Sequence, residues 1–138
     1  MEYDLQRFLK AQEPTYQTAL EEICSGRKRS HWMWYIFPQL ACLGRSETAR
    51  YYGIAGRDEA LAYWGNPVLR QRLAEISQAL LEQSGTAYEI FGSPDHLKLC
   101  SCMTLFSLTT GEPVFRQVLE RFYQGKYDPL TVRFLTEH

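Results

Sequence analysis

The sequence predicts an all-α fold, and three observations carry that prediction. Prolines fall where helices begin, glycines fall where they end, and the apolar residues between them recur with a helical period. Glu13-Pro14, Asn66-Pro67, Ser93-Pro94, Glu112-Pro113 and Asp128-Pro129 each precede a helix-compatible stretch. A proline is tolerated at the first helical position because its missing N–H would have no intrahelical partner there. Gly26, Gly85, Gly92, Gly111 and Gly125 close the stretches. No alternating strand pair with a hairpin turn interrupts this pattern. Nor is there a repeat, linker or low-complexity segment.

In chain order, helices are expected near residues 4–12 and 14–25, the second carrying Tyr16, Ala19, Leu20 and Ile23 on one face. Residues 30–37 hold a short apolar run, Trp32 to Phe37, which as a lone strand would have no partner and is therefore read as helical or irregular. Short helices follow near 46–53 and 58–64. A longer one near 67–83 has Leu69, Leu73, Ile76 and Leu80 on one face, and Asn66 as its cap. Thr86 and Glu89 form a capping-box pair at the start of 86–91. Ser93 and Asp128 are the expected caps of 94–109 and 129–136, and Val114, Val118, Leu119 and Phe122 line 113–124. Allowing for fusion among these candidates, the expectation is a single compact domain over residues 1–138. It would hold about eight short helices around a buried helix near residues 94–109, a segment apolar on nearly every side from Leu97 to Leu108.

Composition bounds the function. Hydrophobic residues make up 45% and charged residues 22% of the chain, which is ordinary for a globular protein able to bury its own core. The net charge of −1 gives nucleic acid and anionic membranes no global attraction, so nucleic acid is disfavoured as a partner. No apolar run approaches bilayer length, and the charged N-terminus MEYDLQRFLK lacks a signal-peptide core. A cytoplasmic protein with no membrane contact is the default expectation. Cys24, Cys42, Cys100 and Cys102 have neither C-x-x-C nor zinc spacing and read as buried free thiols. Phosphate-binding, dinucleotide, nucleophile-elbow and zinc-protease motifs are all missing, so no cofactor and no metal is implied. His31, Asp95 and His96 lack a ligand-type spacing.

Two constellations remain. The first is Lys28, Ser30, His31, Trp32, Trp34 and Gln39, where cations, an imidazole, indoles and an amide stand together in Arg27 to Gly44. An imidazole titrates near neutral pH, and an indole offers a stacking face and one N–H donor. The second is the row Asp95, Lys98, Ser101 on the apolar helix. A step of three residues turns about 60° around a helix, so these three share one side. Polar groups in an apolar segment need partners. The leading expectation joins the two sets into one polar-aromatic pocket for a small polar or anionic ligand. In it, His31 and Gln39 hydrogen-bond, Trp32 or Trp34 stacks, and Lys28 or Lys98 holds an anionic group. The structural alternatives are that Ser30 caps a helix and the rings are core, and that Asp95 and Lys98 form a surface pair. Two further functional readings stay open: an enzyme with His31 as general acid or base, and a protein-interaction module using exposed Trp32 and Trp34. The run Arg27-Lys28-Arg29 reads as a solvated loop.

The string Gly26-x-Lys28-x-Ser30-His31-Trp32-Met33-Trp34-Tyr35-Ile36-Phe37-Pro38-Gln39 resembles the hallmark of an uncharacterised, mainly bacterial domain-of-unknown-function family. Its members are often labelled "calpastatin". Further matches run through Gly44-x-Ser46, Pro67-Val68-Leu69, Phe91-Gly92, Asp95-x-x-Lys98-Leu99 and Ser101-x-Met103-Thr104-Leu105-Phe106. The resemblance implies one all-α domain and supplies no activity or cofactor. The calpastatin label does not fit, because calpastatin proper is a disordered protease inhibitor. Cys42-Leu43-Gly44 departs from the family's usual Gly-Leu-Gly, and Asn66 stands where histidine is common. Asn66 keeps the capping role and cannot shuttle a proton.

Overall fold

A computed structural model describes residues 3–138, and ten α-helices joined by loops and turns make up the described chain. Its helices are α1 (Gln6–Gln12), α2 (Tyr16–Cys24), α3 (Met33–Ile36), α4 (Glu47–Tyr51), α5 (Arg57–Gly65), α6 (Pro67–Leu81), α7 (Ala87–Phe91), α8 (Asp95–Thr110), α9 (Pro113–Tyr123) and α10 (Pro129–Glu137). A 3-10 turn spans Ala41–Leu43. The candidates therefore stay separate rather than fusing to about eight, because each boundary carries a proline, a glycine or a side-chain cap that ends the hydrogen-bond ladder. Residues 33–36 are helical, and the segment after them makes one isolated parallel bridge, Leu40 to Ile54.

The caps explain most of the boundaries. Asn66 accepts from the amides of Val68 and Leu69, Asp128 accepts from Thr131, and Thr86 with Glu89 completes the reciprocal capping box. The expectation for Ser93 was wrong. Pro94 occupies the cap position of α8, which puts Ser93 one residue too early, and the first amides of the helix instead reach the carbonyls of Gly92 and Pro94.

Helix α8 is the centre of the domain. Leu99, Cys102, Met103, Leu105 and Phe106 are fully buried, and α5, α7, α9 and α10 pack around them. The expected apolar surround fails at the first turn, where Leu97 is 59% exposed because that end of α8 reaches the surface. The stripe of α6 is buried as expected at Leu69, Leu73, Ile76 and Leu80. Two polar ties cross the core. Arg7 of α1 pairs with the buried Glu59 of α5 at 2.9 Å and also donates to the carbonyl of Gly53. Gln12 donates to Tyr63 Oη at 3.0 Å and to the Tyr35 carbonyl at 2.7 Å. Gly53 meets the 3-10 turn so closely that a Cβ there would stand 2.3 Å from Ala41 Cα. That contact lets Ala41 donate to Ile54 and Ile54 donate to Gln39, which fixes the backbone at Gln39.

Not all the thiols are buried. Cys102 is, and Cys100 is half-buried, but Cys24 and Cys42 are exposed because they lie on a helix end and a surface turn.

Among the described residues no helix is long and apolar enough to cross a membrane.

A buried carboxylate and a small crevice

The loop from Gly26 to Trp32 wraps around one residue that the sequence reading missed. Glu22, on α2, is buried. Its Oε1 accepts from the Arg29 amide at 2.7 Å, the Ser30 amide at 3.0 Å and the Trp32 indole Nε1 at 2.9 Å. Its Oε2 accepts from Ser30 Oγ at 2.6 Å. Burial by itself would raise the pKa of this carboxyl. The hydrogen bonds from the Ser30 hydroxyl, the two amides and the indole outweigh burial and bring it down to about 2. A signal for it does exist in the chain: Glu22 follows Ala19 by three residues, on the flank of the apolar stripe of α2.

This clamp decides the role of three predicted site residues. Trp32 is 1% exposed and packs edge-on against Phe91, so its ring is core and its N–H is spent on Glu22. An interaction surface cannot use it. Ser30 neither caps a helix nor faces a cavity; its hydroxyl and amide both serve Glu22. Lys28 is tied down by its ammonium, which donates to the Ser30 carbonyl at 2.6 Å, pairs with Asp95 Oδ2 at 2.9 Å and lies 5.1 Å from the centre of the Trp32 ring. Its amide donates to Ile90.

The same Asp95 joins the two constellations. It holds Lys28 with one oxygen, and its other oxygen stands 3.7 Å from Lys98 Nζ. Lys98 in turn lies 5.8 Å from the centre of the Trp34 ring. Lys98, Trp34 and Gln39 line one crevice with Met33, Phe37, Ala49 and Tyr52. Its volume is about 10 Å³, room for one water-sized group. Among the described residues neither Lys98 Nζ nor the Gln39 side-chain amide makes a hydrogen bond, so both keep free donors.

His31 and Ser101 stand apart from the crevice. His31 is exposed, and the contact at its position is its carbonyl, which accepts from Tyr35 Oη at 3.5 Å. Ser101 bonds back to the Leu97 carbonyl at 3.3 Å, and Thr104 likewise to Cys100 at 2.8 Å. Of the nine residues singled out from the sequence, three converge on the crevice. Lys28 and Asp95 stand one ion pair behind it, Ser30 and Trp32 belong to the Glu22 clamp, and His31 and Ser101 join neither.

Comparison with known proteins gives the same fold with no activity attached. A family model described as "Protein of unknown function (DUF1810)" matches residues 2–135. The crystal structure of the conserved hypothetical protein Rv1873 from Mycobacterium tuberculosis is similar at a TM-score of 0.94 and 46% identity, covering 97% of each chain. No curated protein matches the chain.

Proposed function

Because the chain belongs to the DUF1810 family of proteins of unknown function, we propose its function from the site itself: it binds a small ligand that offers one anionic oxygen to the Trp34–Gln39–Lys98 crevice. One observation carries this reading. The Lys98 ammonium stands beside an indole face and an unbonded amide, with a single ion-pair partner beyond hydrogen-bond reach at 3.7 Å. A cation at that position is poised for a closer acceptor. The crevice admits one small group, so a carboxylate or phosphate oxygen enters and the rest of the ligand lies outside, over Trp34 and the neighbouring Tyr52. Asp95 steadies Lys98, and because Lys28 already neutralises that carboxylate, the trio keeps a net positive charge that attracts an anion.

Thermal-shift titration with inorganic phosphate, acetate and a panel of carboxylate and phosphate metabolites tests the reading. Stabilisation by one or more of these is expected, lost in Lys98→Ala and weakened in Gln39→Ala, and unchanged in His31→Ala. No stabilisation across the panel, or stabilisation that survives Lys98→Ala, would sink it. Turnover dependent on His31 would instead favour the enzyme reading.

A further inference from the structure

A second concavity lies elsewhere on the domain, where the end of α5 and the outer faces of α6 and α9 meet. It is an open groove of about 740 Å³, within the size range of ligand sites and far larger than the crevice at Lys98. Its polar lining is uniform in one respect. Arg70, Gln71, Glu75, Gln78, Glu112 and Gln117 all end in planar groups that can bond through two atoms at once. Among the described residues the three glutamine amides make no hydrogen bond, and the Arg70–Glu112 contact, at 3.8 Å, is an ion pair without one. One Glu75 oxygen accepts from Tyr16 Oη and the other stays free among the described residues. The apolar part includes the half-buried Trp64, whose indole N–H is likewise without a partner among the described residues, and Pro67 beside it.

From this lining we infer that the groove is a binding site for a neutral oligosaccharide. Sugar hydroxyls both donate and accept, and neighbouring pairs of them suit planar two-ended groups such as amides, carboxylates and guanidinium. The C–H faces of the sugar ring supply the apolar surface that Trp64 and Pro67 receive. One cation and two carboxylates leave the groove with a net negative charge, which works against phosphorylated or acidic ligands. An amphipathic helix would need an unbroken apolar trough, and the polar ends of six of the eleven lining residues interrupt the apolar surface here. Arg70 lies over the Trp64 ring at 5.0 Å on a side chain that is 55% exposed, so a ligand can displace it at small cost.

The test is NMR titration of the labelled protein with maltotetraose, cellotetraose and xylotetraose, followed by calorimetry of any binder. Saturable movement of the Trp64 indole and the Gln71 and Gln117 side-chain amides is expected, with the Trp32 indole unmoved. The exposed double substitution Gln71→Ala with Gln117→Ala should weaken binding by about tenfold while the protein stays folded, since two hydrogen bonds are lost. Lys98→Ala should leave this binding unchanged, which separates it from the crevice. The assignment is overturned if none of the three sugars moves the groove resonances, or if the double variant binds as well as the parent. It is overturned equally if a proline-rich peptide run in parallel saturates the groove and the sugars do not.

Discussion

Replacing Glu22 by glutamine isolates the charge of the clamp from its shape. Glutamine can keep one oxygen for the Arg29, Ser30 and Trp32 N–H donors and turn its NH₂ toward Ser30 Oγ, which can accept. What is lost is the ionic character of those hydrogen bonds. The folded carboxyl titrates near 2 against an ordinary value of 4.5. At about 1.4 kcal/mol per unit, the ceiling on the charge contribution is about 3 kcal/mol. Solvent at the loop rim and the hydrogen bonds that glutamine retains reduce this, so Glu22→Gln should cost about 2 kcal/mol at neutral pH. For a domain of this size that lowers Tm by roughly 7 °C. The sign of the pH dependence follows from the lowered pKa. The stabilisation is complete above 4.5 and is lost as pH falls toward 2, so the gap between parent and variant must close over that window. Glu22→Ala differs, because it strands three N–H donors and should cost about 4 kcal/mol with the loop loosened. Urea denaturation of all three proteins from pH 7 down to pH 2.5 measures this. A parent–variant gap that is constant with pH, or smaller than about 0.5 kcal/mol at neutrality, would refute the argument that a charged, hydrogen-bonded carboxylate organises the loop.

Other outcomes follow from single residues. Gly53→Ala puts a Cβ within 2.9 Å of three Ala41 atoms and should destabilise the domain by about 3 kcal/mol in chemical denaturation. Gly65→Ala meets nothing within 4 Å and should be neutral or stabilise by up to about 1 kcal/mol. Ser77 Oγ is a buried hydroxyl with no partner among the described residues, so Ser77→Ala should leave stability unchanged or raise it by about 1 kcal/mol. In the native protein the exposed Cys24 should react first with a thiol reagent, and Cys42 more slowly, because desolvation raises its thiol pKa. Cys102 should resist until unfolding, and Cys100 should react slowly, because burial pushes its thiol up to about 11. Four equally fast thiols would contradict the packing around α8.

Interactions within a few residues leave a mark in the sequence, and interactions between segments do not. Helix limits were legible because caps, prolines and glycines act within four residues of themselves, and the pattern at Asn66, Thr86 and Asp128 needed no distant partner. Apolar periodicity was legible for the same reason, since it names the buried face of α6 whatever packs on it. The polar site was harder. Lys28, Ser30, Trp32 and Trp34 look alike in sequence, as polar or aromatic neighbours in one run. Folding sends the first three to Glu22 and Asp95, from α2 and α8, and leaves Trp34 at a crevice with Lys98. Which donors are spent and which remain free depends on residues eight to 67 positions away.

The groove of α6 and α9 shows the limit from the other side. Gln71, Gln78 and Gln117 carry no motif and read as ordinary exposed positions of amphipathic helices. Helix packing alone brings them to one concavity with Trp64. By itself the sequence determined the fold class, most helix limits and the buried stripe of α6, since these are set by local hydrogen bonding and by hydrophobic period. Tertiary structure alone decided that Glu22 is the anchor of the aromatic segment, that Lys98 and Gln39 share a crevice, and that its volume is one water. These are matters of distance between segments, and distance between segments has no local signature.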